Sequence, residues 1–322
     1  MLQFDRRRIG CESCGSRFPY LHGTPVLLPD PNARPITHEG KLQRWEGYHA
    51  CVTSLIDSLS PHHIVLDIGA GNRDISDERI IRLDVIKTPF VDVIGDAHRL
   101  PFRDGSIDVI LASAVWEHLR NPFLAAQEVS RVLRPGGQVC VDCNFVFPFH
   151  GYPAVYFNCS KEGLRELFSG FDEIAAEVAS WQKPSYAVEA LLTEYLARFR
   201  YETPQELAFV NLIHDLGKYP IREFDRRFSE DDSARIAAGV TFLGLKPPSA
   251  ADPVIGRPLL KHYSKSRELR AQFPNPHVLL NTVHPERFST LLQWARKNSA
   301  AIIGFVEWEK GMKPFSRRLR AE

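Results

Sequence analysis

The stretch that most constrains this chain is residues 64–74, which read Ile-Val-Leu-Asp-Ile-Gly-Ala-Gly-Asn-Arg-Asp. Ile64, Val65, Leu66 and Ile68 form a short, largely β-branched apolar run, which suits a strand buried on both faces of a parallel sheet. The run carries Asp67 and gives way to Gly69 and Gly71, so the chain turns sharply there. Glycine tolerates positive φ and lets backbone N–H groups approach a ligand closely. A second short apolar stretch, residues 81–85, ends around Asp84, and a third, 91–102, carries Asp96. Residues 106–119 supply a fourth, and 131–142 turn through Gly136 and Gly137 into a fifth. Helix-like segments alternate with these strands, which predicts a doubly wound α/β sheet. The return from Gly71 to Asp84 is too short for a full crossover helix, so a loop or single helical turn is expected over residues 72–79.

Composition narrows the classes. Lysine plus arginine number 40 against 39 aspartates plus glutamates, so the bulk charge calls for neither nucleic acid nor an anionic membrane. No apolar run approaches the ~18 residues that span a bilayer, and the first ten residues lack a signal-peptide core. No membrane span and a cytoplasmic location are expected. Six cysteines in 322 residues do not make a disulfide scaffold, and Cys140 and Cys143 fall in a predicted buried strand, as a reducing compartment permits.

Over residues 48–180 the sequence resembles the class I S-adenosylmethionine (SAM)-dependent methyltransferases of the type 11 kind. The resemblance rests on the Asp67-Ile-Gly69-Ala70-Gly71 turn, Asp84-Val85, Asp96-Ala97 and the 113–119 stretch Ser-Ala-Val-Trp-Glu-His-Leu. It implies a seven-stranded, mainly parallel, Rossmann-like sheet and SAM as cofactor. It also implies cofactor-binding roles for Asp67, Gly69, Ala70, Gly71, Asp84, Val85, Asp96, Ala97 and Ser113. Asp67 would match the motif's leading acid, Asp84 would accept the ribose hydroxyls, and Asp96 would accept from the adenine amino group. Arg73 stands where the family often has a third glycine. It is either solvated or reaches the methionyl carboxylate as a charged donor.

Two histidines are candidates for the chemistry. His118 follows the fourth strand, where ligands of open α/β sheets gather, and could act as a base; alternatively Glu117 and His118 open a helix and bond neighbouring loops. His150 lies in an aromatic, proline-interrupted segment, 145–157, placed where a lid over an acceptor site belongs. That segment is similar to a P-F-x-x-P-x-H-x-x-P-x-D-Y-x-R-x-T pattern of bacterial methyltransferases encoded with glycan-assembly genes. Val155, Asn158 and Ser160 replace its acid, arginine and threonine.

The remaining segments divide the chain. Residues 1–30 form a small module whose Cys11-x-x-Cys14 knuckle is similar to half of a zinc-ribbon element of the Trm112-like kind. Two thiolates make only half a tetrahedral site, so no bound metal is expected, and Phe18, Val26, Leu27 and Leu28 would pack on the main domain. Residues 31–47 read as a linker, and 48–246 as the methyltransferase core, with a helical insertion at 185–228 between a sixth strand (172–180) and a seventh (234–245). Residues 247–322 form a C-terminal extension, with a helix over 285–297 and an apolar run at 300–306. The expected function is methyl transfer from SAM to a small-molecule or glycan-like acceptor. RNA methylation, prompted by the knuckle, and a non-catalytic partner, prompted by Arg73 and the altered lid, stand as the alternatives.

Overall fold

The computed structural model describes residues 2–4, 8–11, 15–30, 33–36, 44–151, 154–200, 202–216 and 221–247. Cys14, the linker's centre and the elements expected beyond residue 247 lie outside these residues.

The chain opens with an antiparallel meander, β1 (Leu2–Phe4), β2 (Arg8–Cys11), β3 (Arg17–Leu21) and β4 (Thr24–Pro25). The core then runs α1 (Ala50–Asp57), β5 (Val65–Ile68), β6 (Ile80–Asp84), β7 (Val93–Ile94), β8 (Ile107–Ser113), α2 (Pro122–Val132), β9 (Leu133–Asn144), α3 (Lys161–Leu167) and β10 (Asp172–Glu177). Four helices follow, α4 (Pro184–Leu196), α5 (Pro204–Leu216), α6 (Ile221–Phe224) and α7 (Glu230–Ile236), before the closing strand β11 (Gly239–Leu245).

The seven core strands form one sheet in the order β10-β11-β9-β8-β5-β6-β7, parallel except for β11, which runs antiparallel to both its neighbours. This is the Rossmann-like, doubly wound sheet that the strand pattern predicts. The alternation of side chains explains how both faces are buried. Val109 and Leu111 of β8 pack with Val65 and with Leu55, Ile56 and Leu59 on the α1 face. Ile110 and Ala112 pack with Leu66, Ile68 and the α2 residues Ala125 and Val129 on the other. Trp116, Phe168 and Phe242 stack through that second layer, with centroids 5.4 and 5.3 Å apart. From β5 the sheet grows one way through β6 and β7 and the other way through β8, so the strand order reverses at β5. In such sheets ligands bind beyond the carboxyl ends of the strands at the reversal.

Three expectations are corrected. The third strand, expected over 91–102, shrinks to Val93–Ile94: the Gly95 amide still donates to Asp84 O of β6, and the chain then leaves the ladder as Asp96 accepts from the His98 amide in a local turn. The seventh starts at Gly239, not at 234, because Ser229 caps a helix by accepting from the Asp232 amide, with Glu230, Asp231 and Asp232 in its first turn. The insertion therefore runs from Pro184 to Ile236. Residues 31–47 are also more than a spacer, since Ile36 pairs with Ile86 and Trp45 with Arg73.

The return from Gly71 to β6 holds no helix, as expected. It is fastened by Arg79, which donates to Leu59 O and Asp77, and by Arg82, which donates to Asp92 and Ile75 O. Val26 and Leu28 bury themselves against Val91 and Ile94, and the Leu27 amide donates to Ile94 O at 2.7 Å. The N-terminal module thereby covers the open edge of β7. Among the described residues no helix is long and apolar enough to cross a membrane.

Candidate active site

After β5 the chain turns through Gly69 (φ 69°) and Gly71 (φ 57°). The turn does not leave its N–H groups free for a ligand. Gly69 and Ala70 both donate to Leu83 O (2.8 and 3.2 Å), and Gly71 donates to Asp84 Oδ2 at 2.8 Å. Since no helix opens after this turn, the donors bond the neighbouring strand instead of projecting from a first helical turn. The requirement for glycine at 69 is also steric, because a Cβ there would stand 2.3 Å from Val115 Cγ2.

Asp67 falls on the α1 face of β5 and is 1% exposed. Its Oδ2 accepts from Tyr48 Oη at 2.7 Å and lies 3.3 Å from Arg73 Nε. Burial pushes its carboxyl up to about 6, against the opposing pull of Arg73 and Tyr48. Burial, with Asp67 alongside, likewise drives the Tyr48 phenol far above its ordinary range. Arg73 lies over the Tyr48 ring at 4.6 Å and donates to Gly47 O at 2.9 Å. It is therefore anchored, not solvated.

A cavity of about 290 Å³ opens beyond the ends of β5 and β6, lined by Gly69, Asp84, Val85, Asp96, Ala97 and His118 among others. Six of the residues singled out in the sequence thus share one wall. Asp84 ends β6 with Oδ1 accepting from the Ile86 amide (2.9 Å) and Oδ2 from that of Gly71. Burial raises its pKa against these bonds. Each carboxylate oxygen has a second acceptor direction, so Asp84 can hold the glycine turn and still meet a ligand. Asp96 Oδ1 lies 2.6 Å from His98 Nδ1, while His98 Nε2 accepts from the Asn121 amide at 3.1 Å. That second bond fixes the proton on Nδ1, so His98 donates to Asp96 and orients it. Asp67, Ala70 and Gly71 lie behind the wall and support it.

A second cavity, about 720 Å³, lies on the other side of the β8 terminus, lined by Trp45, Arg73, Ser113, Asp142, His150 and Trp181 among others. Ala114 borders both cavities and has φ 54°. A left-handed alanine carries strain of roughly 1–2 kcal/mol. Asp142 holds it, taking the Ala114 amide on Oδ1 (3.0 Å) and the Ser113 hydroxyl on Oδ2 (2.7 Å). Burial raises the Asp142 carboxyl to about 6, the Ser113 and Ala114 hydrogen bonds pulling it down.

The two candidate histidines fall on different cavities. His118 ends a 3₁₀ turn, Trp116–His118, and its Nδ1 lies 2.9 Å from Ala154 O of the 145–157 segment. His150 Nδ1 lies 2.9 Å from Pro148 O, and its Nε2 meets Asn144 Nδ2 at 3.1 Å and Glu117 Oε1 at 3.6 Å. Glu117 raises the His150 pKa against the effect of burial. The segment bearing His150 does not belong to one cavity alone: Tyr156 lines the first, under the Arg120 guanidinium.

Fold and site together define a class: a two-cavity α/β domain whose cavities open beyond the strand ends at the reversal. Residues 50–141 match the family model described as methyltransferase domain. A 37.1 kDa transposon protein of Streptomyces fradiae is 34% identical over 115 residues, covering 35% of this chain and 32% of that protein. A methyltransferase of Mycobacterium tuberculosis is 34% identical over 91 residues, covering 23% and 37%. The demethylmenaquinone methyltransferase of Beutenbergia cavernae is 27% identical over 183 residues, covering 50% and 69%. The chain spans about a third of the length of the first two relatives. Among solved structures, phosphoethanolamine N-methyltransferase 2 of Haemonchus contortus with S-adenosylhomocysteine is 18% identical. It covers 62% of this chain and 53% of that one, with a TM-score of 0.37, too low to carry a ligand across. The family match begins at residue 50, and the zinc-ribbon likeness of the N-terminal module finds no support in these comparisons.

Proposed function

We propose that this chain is a SAM-dependent methyltransferase whose core, residues 48–246, transfers a methyl group to a small-molecule or glycan-like acceptor. The observation that carries the reading is that the two cavities meet at Ala114. Group transfer needs donor and acceptor held on either side of one point, with water kept out. The demethylmenaquinone methyltransferase among the relatives, by its name, supports a small-molecule acceptor.

In this reading Asp84 and Asp96 accept hydrogen bonds from the nucleoside of SAM, and Val85 and Ala97 form apolar walls beside it. Gly69, Ala70 and Gly71 shape the turn that Asp67 and Arg73 brace, and Ser113 steadies Asp142 at the boundary. When bound, SAM supplies a methyl group already activated by its cationic sulfur, so the protein's task is chiefly positioning. Asp142 faces the second cavity and, with a pKa of about 6, is ionised at neutral pH. It is the group best placed to take a proton from an acceptor O–H or N–H. His150, across the same cavity, contacts and orients the acceptor. His118 lines the first cavity and holds the 145–157 segment through Ala154. Trp45, Phe147 and Trp181 give the acceptor cavity apolar walls, and Arg73, Asp142, Asn144 and His150 set charged and polar groups among them.

Calorimetric titration with SAM and with its demethylated product tests the first half of this reading. The purified chain should bind both at one site. Transfer of labelled methyl from SAM to the small-molecule fraction of a cell extract tests the second. Absence of SAM binding refutes the enzyme reading; binding with labelling confined to RNA refutes the acceptor class.

A further inference from the structure

Glu117 sits in the 3₁₀ turn after β8 with its side chain wholly buried. Its Oε1 accepts from the Asn144 amide at 2.6 Å, while Oε2 has no hydrogen-bond partner among the described residues. The described group within ion-pair reach is His150, an imidazole at 3.6 Å. Carboxylates this deeply buried are paired with a cation or coordinate a metal.

Two imidazoles converge on it. Glu117, His118 and His150 each offer a ligand atom, all within 4.8 Å of one another. His118 Nδ1 and His150 Nδ1 both face backbone carbonyls, Ala154 O and Pro148 O, each at 2.9 Å. A carbonyl only accepts, so both rings carry their proton on Nδ1 and present an Nε2 lone pair, which in His150 accepts from the Asn144 amide at 3.1 Å. Metal-ligating histidines are held in this way, the second nitrogen donating to a carbonyl or carboxylate. Ligand atoms around one ion bonded at about 2.0–2.1 Å stand about 3–3.5 Å apart, close to the 3.6 Å between His150 Nε2 and Glu117 Oε1.

We propose that Glu117, His118 and His150 form a divalent-metal site that fastens residues 145–157 onto the turn after β8. Two imidazoles and a carboxylate select a first-row transition ion such as Mn²⁺, Fe²⁺, Co²⁺ or Zn²⁺ over Mg²⁺ or Ca²⁺, and leave coordination positions open. Entry of the ion displaces the Asn144 amide from between Glu117 and His150. The segment already docks on this turn through the Tyr156 amide, which donates to Glu117 O at 2.7 Å. The ion adds a bond from His150 to the same place. The site does not depend on the methyltransferase reading and is tested without SAM.

The test is titration of the chelator-treated, full-length protein with Co²⁺, followed by visible absorption and by hydrogen exchange of residues 145–157. One equivalent should bind with a spectrum free of thiolate charge transfer, which excludes Cys11 and Cys14, and exchange in the segment should slow. Glu117→Gln and His150→Ala should each weaken binding at least about tenfold, and the segment should no longer respond. His150 is partly exposed, so its variant remains informative should Glu117→Gln fail to fold. Absence of Co²⁺ binding, binding unchanged in His150→Ala, or a thiolate spectrum lost in Cys14→Ser would overturn the proposal.

Discussion

Asp142→Asn separates what Asp142 does for the reaction from what it costs the fold. Burial holds its carboxyl at about 6 against an ordinary 3.8. At about 1.4 kcal/mol per unit, the folded chain bears roughly 3 kcal/mol for keeping that carboxylate ionised. The sign follows from proton binding. The folded state holds this proton more tightly than the unfolded chain, so stability from this group is fully present below about pH 4 and is lost as pH rises towards 6. Asparagine fits the same contacts without the charge. Its Oδ1 can accept from the Ala114 amide and its Nδ2 can donate to the Ser113 hydroxyl, which also accepts.

The variant should therefore be more stable than the parent by about 1–3 kcal/mol at pH 8, with the gap closing near pH 4. Asp67, also raised to about 6, titrates in both proteins and cancels from the difference. Methyl transfer should fall about 10²–10⁴-fold, with SAM affinity little changed. Urea denaturation at several pH values and a labelled-methyl assay read both effects. A variant less stable at pH 8, or a gap independent of pH, would show that no buried charge is borne here. Retained activity would remove Asp142 from the chemistry.

Other perturbations test other parts of the site. Asp84→Ala should weaken SAM binding at least about tenfold and cost about 1–3 kcal/mol in denaturation, since the Gly71 and Ile86 amides lose their acceptor. His150→Ala should leave calorimetric SAM affinity nearly unchanged while raising the acceptor KM; a loss confined to kcat would instead make His150 the proton acceptor. Arg73→Met should destabilise the fold by about 3–5 kcal/mol at pH 8 by stranding Asp67. The loss should be smaller at pH 5, where the carboxyl, no longer held down by the guanidinium, takes a proton. Gly69→Ala should abolish SAM binding, and Val115→Ala in the same chain should restore part of it, because the new Cβ meets Val115 Cγ2.

Much of the sheet was legible because strands buried on both faces read as apolar runs, and because strand-end aspartates stand out against them. Asp84 and Asp96, which line the first cavity, stand out in that way. Asp142 carries the same signal, an acid directly after the buried run 137–141, but lies in no familiar motif. The false start of the seventh strand at 234 had a legible remedy, the Ser229 cap with three acids behind it. Tyr48 gave no such signal: its value lies in reaching Asp67 across 19 positions of sequence, and nothing local announces a pairing of that kind. Nor could spacing tell that Glu117 and His118 meet His150, since the loop joining them sets that meeting.

The glycine turn has a further consequence. Where a helix opens after such a turn, its free amides form a cradle for negative charge. Here those of Gly69, Ala70 and Gly71 bond Leu83 O and Asp84 instead, so an anionic ligand end near this turn must be met by a side chain. Arg73 is the cation in place, braced by Asp67, Tyr48 and Gly47 O and lining the second cavity. Its position in place of a third glycine and the missing crossover helix are then two sides of one arrangement. Shortening the return removes the helical donors and leaves the Arg73 guanidinium, paired with Asp67, as the positive charge beside the turn.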